Sequence, residues 1–364
     1  MWFSKGDALR ILVVRLSAMG DVANTAYAVW ALRRRLPDAR IEWLVESRSA
    51  DLVEALPFVD QVLVSERRRW QRRLRRNPLA AAAVVRQVGD LALELRYRRY
   101  DVALDFQGNF RSGLLVWLSG ARARIGFGAG RVKEASHIFY TRKAPLRRAP
   151  LHRVERAYRL AAVLGAVRRD EPPPVRLNEA DVKFVERFFY EQRVRSRPVV
   201  VLHPGTSRFG AFKRWEPERY GELARLLRRR ADVFVAVTWG GDEWFDAVRV
   251  AQESGDAAVV APRFARLGQL AALLARASLV IGGDTGPLHL AALLGRPTVA
   301  VFGPKDPRLH RPWGDGHRVV RADVPCSPCR RRRCSKRICI RAVGVGMVEE
   351  AALAALAEEG VCVR

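Results

Sequence analysis

Runs of β-branched and aliphatic residues recur along the chain, each followed by a turn and then by a longer amphipathic stretch. Residues 9–16 form the first run, short enough and branched enough to predict a buried strand. A loop, Ser17-Ala18-Met19-Gly20-Asp21, leads into a predicted helix over 22–36, which Pro37 ends. Further strands are predicted at 40–46, 61–64 and 101–106, the last followed by Gln107-Gly108 and a helix near 110–118. Three consecutive prolines, Pro172 to Pro174, make 170–174 a stiff linker. The alternation then restarts, with strands at 199–202, 233–238, 279–281 and 298–302.

Strands alternating with helices imply an α/β fold with parallel, doubly wound sheets. The pattern predicts two Rossmann-like lobes, residues 1–174 and 175–364, facing a central cleft. A last helix near 347–359 is expected to pack back on the first lobe by analogy of fold.

In open parallel sheets, ligands bind at the carboxyl ends of strands. The polar and glycine-rich clusters of this chain follow its predicted strands. After the first comes Ser17 to Asp21, where Asp21 is either a helix cap or a general base for a hydroxyl. After the strand at 101–106 comes Asp105-Phe-Gln107-Gly-Asn-Phe-Arg111-Ser112, an acceptor-pocket wall or a plain turn. The segment 203–215, HPGTSRFGAFKRW, offers Thr206 and Ser207 as donors to phosphate and Lys213 as a cation for a leaving diphosphate. Trp239-Gly240-Gly241-Asp242-Glu243 places an acid where a ribose hydroxyl would be read, or a further helix cap. In Gly282-Gly283-Asp284-Thr285-Gly286-Pro287-Leu288-His289, Pro287 suits a helix's first turn. The Thr285 and Gly286 amides would then face an anion, with Asp284 available to sugar hydroxyls and His289 on the first turns.

Charge sharpens this picture. Lys and Arg total 65 against 38 acids, a net of +27, which favours acidic partners such as nucleic acid, anionic lipid or phosphorylated substrates. Only seven of the cations are Lys, so compositional bias toward Arg is an alternative source of the excess. No run of eighteen apolar residues exists, and Arg15 interrupts the apolar stretch a signal peptide would need, so a cytoplasmic chain is expected. An Asp-x-Asp pair and a P-loop are both absent, and Gly126, Gly128 and Gly130 do not match the dinucleotide fingerprint. A leaving diphosphate would therefore be stabilised by protein cations, hydroxyls and amides.

Taken in order, LVVRLSAMGDV, DFQGNFRSG, HPGTSRFGAFKRW and GGDTGPLHLAALLGRPTVAVFGPKDP resemble the motifs of glycosyltransferase family 9, the lipopolysaccharide heptosyltransferases, over nearly the whole chain. The resemblance implies a GT-B fold and inverting, metal-independent transfer of heptose from ADP-heptose to a Kdo or heptose hydroxyl of the inner core. No cofactor is implied beyond this co-substrate. The family's base maps onto Asp21, its phosphate-binding set onto Lys213, Thr206 and Ser207, its ribose-binding acid onto Glu243, and its donor loop onto Asp284 and His289, with Thr285 and Gly286 between them. Ser17, Gln107, Arg111, Arg67 and Arg68 are the acceptor-side candidates.

The acceptor implied is a membrane-borne anionic glycolipid. The segment 67–76 carries seven arginines around Trp70 and Leu74, which suits either a solvated helix face or attachment to an anionic membrane surface. Cys326, Cys329, Cys334 and Cys339 have the spacing C-x2-C-x4-C-x4-C, consistent with a structural zinc knot, reduced thiols or two disulfides. Two rival readings are a GT-B transferase using another nucleotide sugar and a basic nucleic-acid-binding protein with a zinc site. The second leaves the gathering of hydroxyls and glycines at strand ends unexplained.

Overall fold

The computed structural model describes residues 8–146, 150–169, 171–206, 208–329, 331 and 334–363. The chain divides into two compact units, Met1–Arg176 and Leu177–Arg364. Glu171 pairs with Arg34 at 3.0 Å and the Arg176 amide donates to the Ala55 carbonyl, so the proline-rich stretch stays tied to the first unit.

Each unit is a six-stranded, wholly parallel sheet. The first holds β1 (Arg10–Val14), β2 (Arg40–Glu46), β3 (Gln61–Ser65), β4 (Val102–Asp105), β5 (Ala123–Phe127) and β6 (Arg142–Ala144), in the order β3-β2-β1-β4-β5-β6. The second holds β7 (Val199–His203), β8 (Phe234–Val237), β9 (Ala258–Val260), β10 (Leu279–Gly283), β11 (Thr298–Phe302) and β12 (His317–Arg321), in the order β12-β11-β10-β7-β8-β9. Counted within each unit, the two orders are identical. Both reverse direction once, between β1 and β4 and between β7 and β10. A parallel sheet opens a ligand crevice at such a switch point, beyond the carboxyl ends of the two strands.

Helices cover both faces, so the central strands are buried throughout: every residue of β7, β10 and β11 is buried. In the second unit, Leu202, Trp215, Leu223, Val299 and Val301 share one core cluster. The terminal helix Val345–Glu358 adds Val348, Ala352, Ala355 and Leu356 to the same cluster. Its small apolar face fits against the second sheet's own strands, and the Trp215 indole fixes the approach by donating to the Val343 carbonyl at 2.9 Å.

Candidate functional site

The sequence motifs converge on the two switch points. In the first unit, the loop after β1 and the loop after β4 meet there. Gln107 Oε1 accepts the amides of Leu16 and Ser17 at 3.2 and 3.3 Å, so these two acceptor-side candidates are joined. Gln107 is held in turn by Asp105. That fully buried carboxylate accepts from the Gln107 and Gly108 amides, the Ser112 hydroxyl and the Tyr140 hydroxyl. Burial pushes Asp105 up from the ordinary carboxylate range, against the pull of its four donors.

Asp21 lies in the first turn of the helix Met19–Arg35. Its carboxylate is no cap: one oxygen pairs with Arg15 at 2.6 Å and the other with Arg153. Arg15 is anchored separately by donating to the Phe106 carbonyl. Arg153 opens the helix Arg153–Ala161, which the His152 ring caps through the Val154 amide. One turn on, Arg156 stacks over Phe127 at 4.7 Å and donates to the Arg131 carbonyl. Burial lowers its pKa, and repulsion from Arg15, Arg153 and Arg131 lowers it further. The Arg15, Arg153 and Arg156 contacts were not foreseen from sequence, where no spacing ties residues 153–156 to residue 21.

Arg67 and Arg111 form a second group. Both reach Glu46, the buried last residue of β2, at 2.6 and 3.9 Å. The side chain of Arg68 lies outside the described residues.

In the second unit, the loops after β7 and β10 are joined by an ion pair. Lys213 Nζ donates to Asp284 Oδ2 at 2.7 Å and also to the Asp284 carbonyl. His289 Nε2 faces the other carboxylate oxygen at 3.7 Å. Burial alone would raise Asp284, but the His289 imidazole and the Lys213 ammonium outweigh it and hold the carboxyl well below its ordinary range. His289 Nδ1 is buried without a hydrogen-bond partner among the described residues. Thr285 is the N-cap and Gly286 the first residue of the helix Gly286–Leu293, so their amides crown that helix at the end of β10.

Thr206 is buried beside this pair. A side chain added at Gly210 would meet both its Cβ and Lys213 Cε, which marks how tightly the loop folds. Arg214 locks the loop by donating to the Thr206 carbonyl at 2.9 Å while pairing with Asp246 at 2.5 Å. Ser207 lies outside the described residues. Glu243 turns back onto the loop after β7: it accepts the Gly240 amide at 3.1 Å, and a Cβ at Gly205 would stand 2.2 Å from its Oε2. Only glycine at 205 leaves room for this carboxylate. Burial raises the Glu243 carboxyl, against the Gly240 hydrogen bond and the Arg214 charge. His203, at the end of β7, is also missing from the sequence-based set. Burial lowers its imidazole to about 4, and it bonds Thr238 at 3.0 Å.

Among the described residues, no three His, Cys, Asp or Glu side chains gather as metal ligands, and all five cysteines are free thiols. Cys339 is buried against Gly303, whereas Cys326 and Cys334 are exposed. Cys339 belongs to the helix Ile338–Arg341, packed into the core.

Two doubly wound units, with an anion-receptive helix start and a lysine at one switch point and a carboxylate at the other, define a GT-B glycosyltransferase. The chain belongs to glycosyltransferase family 9 (heptosyltransferase), whose model matches residues 88–339. It is 28% identical over 321 residues to lipopolysaccharide heptosyltransferase 1 of Salmonella typhimurium, spanning 88% of this chain and 95% of that protein. The solved structure of E. coli heptosyltransferase WaaC with ADP matches at a TM-score of 0.76 and 25% identity, over 95% of this chain and 100% of that one. WaaC with ADP-2-deoxy-2-fluoro heptose matches at 0.72 and 26%, over 94% and 99%.

Proposed function

We propose that this glycosyltransferase moves heptose from ADP-heptose to a Kdo or heptose hydroxyl of a lipopolysaccharide inner-core acceptor, inverting the anomeric centre without a metal ion. The observation that carries this reading is the Lys213–Asp284 pair, which joins the two loops flanking the second sheet's switch point beneath the Gly286–Leu293 helix start. The relatives bound to ADP and to a fluorinated ADP-heptose support the donor.

In this mechanism Asp21 takes the proton of the acceptor hydroxyl. The oxygen forms its bond to the anomeric carbon as the bond to the diphosphate oxygen breaks on the opposite face, and ADP departs. Lys213 and the Thr285 and Gly286 amides meet the charge that develops on the diphosphate; one such donor is worth roughly 3–4 kcal/mol. Thr206 and Ser207 hold the phosphates, Glu243 accepts from the ribose hydroxyls, and Asp284 and His289 orient Lys213 and the sugar. Ser17, Gln107, Arg111, Arg67 and Arg68 line the acceptor side.

We also propose peripheral attachment to an anionic membrane at the cytoplasmic face, where such an acceptor resides. The helix Arg67–Arg76 presents Arg69, Arg72, Arg73, Arg75 and Arg76 to solvent. The next helix, Ala81–Tyr97, leaves Ala81, Val85 and Val88 exposed at helical spacing, beside Leu79 at 91% exposure. Among the described residues no helix is long and apolar enough to cross a membrane.

The test is ADP release by the purified enzyme given ADP-heptose and a Kdo-terminated lipid A acceptor, with chelator present. Acceptor-dependent release, lost in Asp21→Ala, is the expected result. Tight ADP binding without release would redirect the reading to another sugar or a heptose-bearing acceptor, and no ADP binding would overturn it.

A further inference from the structure

Three acids crowd the start of the helix Trp244–Ser254: Asp242 and Glu243 just before it and Asp246 in its first turn. A helix start favours negative charge, yet carboxylates this close repel one another. Glu243 is the most enclosed of the three, with 14% of its side chain exposed against 24% for Asp246, while Asp242 is exposed. Burial pushes its carboxyl up; the Gly240 hydrogen bond and the Arg214 guanidinium pull it back, and Asp246 and Asp242 add to the push. His203 Nε2 stands 3.9 Å from the same carboxylate. Burial lowers that imidazole to about 4, with Arg214 acting in the same direction, so His203 is neutral at pH 7 and offers Glu243 no charge. The cation that acts on Glu243 is therefore Arg214.

The same side chain is a mechanical link. One terminal nitrogen pairs with Asp246 at 2.5 Å and the other donates to the Thr206 carbonyl at 2.9 Å. It thus ties the loop after β7 to the first helical turn beyond Glu243. Its own backbone is held from the other side, where Arg337 donates to the Arg214 carbonyl. Lys213, the preceding residue, points to Asp284 instead. Two adjacent cations therefore join the loop after β7 to the loops of the strands on either side of it, Lys213 to β10 and Arg214 to β8.

Resting on the reading of Glu243 as the ribose acceptor, we propose that Arg214 is a positioning residue for the ribose site: it fixes the loop after β7 against the start of the helix Trp244–Ser254 and keeps Glu243 a carboxylate, ready to accept from ribose hydroxyls. A protonated Glu243 would carry a donor on one oxygen and could no longer accept through both. Arg214 acts through Glu243 and the Thr206 backbone, since Asp246 and the Thr206 carbonyl occupy its two terminal nitrogens. Its guanidinium also settles where the proton of the His203–Glu243 pair stays at neutral pH, on neither partner's charged-acid form: the imidazole is neutral and the carboxylate ionised.

The experiment measures the affinities of ADP and of 2′,3′-dideoxy-ADP for wild type, Arg214→Gln, Arg214→Lys, Asp246→Asn and Glu243→Gln from neutral into acid pH. The ratio of the two affinities isolates the ribose hydroxyls, because both ligands carry the same diphosphate. In wild type the ratio should favour ADP at neutral pH and fall in acid, as Glu243 takes up a proton. Arg214→Gln should reduce that preference by about tenfold, near the lower end of what a hydrogen bond to a charged group contributes, and its acid fall should begin at higher pH. Asp246→Asn removes a like charge and should move the fall to lower pH. Arg214→Lys keeps the cation but not the fork, so ADP should bind more weakly while the fall stays near its wild-type position. Loosened packing alone does not produce pH shifts of opposite sign. A ratio unmoved in Arg214→Gln at every pH, or a fall displaced to higher pH in Asp246→Asn, would overturn the proposal and leave Arg214 as a clamp of the loop after β7. If Glu243→Gln shows the same ratio as wild type, the ribose reading of Glu243 itself fails, and the role of Arg214 with it.

Discussion

At the scale of single residues, the proposed chemistry asks single charges to serve the fold and the reaction at once, and Lys213 is the clearest case. Its ammonium satisfies partly buried Asp284 and faces the helix start expected to receive the diphosphate. Lys213→Gln should cut kcat by about a hundredfold to a thousandfold, and should also destabilise the second unit by leaving a partly buried carboxylate without its cation. Adding Asp284→Asn removes that unpaired charge. The double variant should therefore regain thermal stability while staying slow, measured as melting temperature alongside turnover; a double variant that regains activity would mean that Lys213 acts only through Asp284. Sequence made the two loops after β7 and β10 legible because their polar groups are contiguous. HPGTSRFGAFK and GGDTGPLH each announce a strand end, a tight turn and a polar group. It did not disclose that Lys213 and Asp284, 71 positions apart, form one pair, nor that Arg153 reaches Asp21 across 132. Such contacts follow from strand order, and no local spacing encodes them.

At the scale of elements, strand burial explains which parts of the sheets could be read. The central strands are aliphatic on both faces, so 9–16, 199–202, 279–281 and 298–302 stood out as continuous apolar runs. The strands that went unread, β5, β6, β9 and β12, lie toward the sheet edges and are short or carry charge, as in Arg142-Lys143-Ala144 and His317-Arg-Val-Val-Arg321. Two strands of the second sheet also predict an acid sensitivity. Burial lowers His203 on β7 and His317 on β12 to about 4, from an ordinary 6.5. As pH falls below 6.5 the unfolded chain takes up protons that the folded imidazoles refuse, so stability is lost between about 6.5 and 4. At pH 5 each imidazole accounts for about 2 kcal/mol of that loss. His317→Gln, remote from the donor loops in sequence, should shrink the difference in unfolding midpoint between pH 7 and pH 5; an unchanged difference would show that His317 titrates alike in both states.

At the scale of the whole molecule, a net charge of +27 and a local basic helix make different predictions about the membrane, and the difference can be measured. Diffuse charge attracts any anionic surface, weakly and from all sides, and salt screens it beyond about 8 Å at physiological ionic strength. The Arg67–Arg76 helix concentrates five exposed arginines beside the apolar positions Leu79, Ala81, Val85 and Val88. Each cation held near an anionic leaflet contributes about 1 kcal/mol, and the apolar positions add a contribution that salt does not screen. Co-sedimentation with phosphatidylglycerol vesicles should therefore be strong at low salt and fall as salt rises, while phosphatidylcholine vesicles should bind little. Replacing the five arginines with Gln should abolish most of the binding although the chain would still carry a large positive charge. Leu79→Asp with Val85→Asp should weaken attachment at every salt concentration and leave its salt dependence nearly parallel to wild type. If the five-Gln protein bound as well as wild type, attachment would belong to the diffuse charge and the helix would be only a solvated face; if binding ignored salt altogether, neither account would stand. The helix follows β3 in the first unit, the unit that carries Asp21, so attachment through it would put the membrane surface and the proposed base on the same unit.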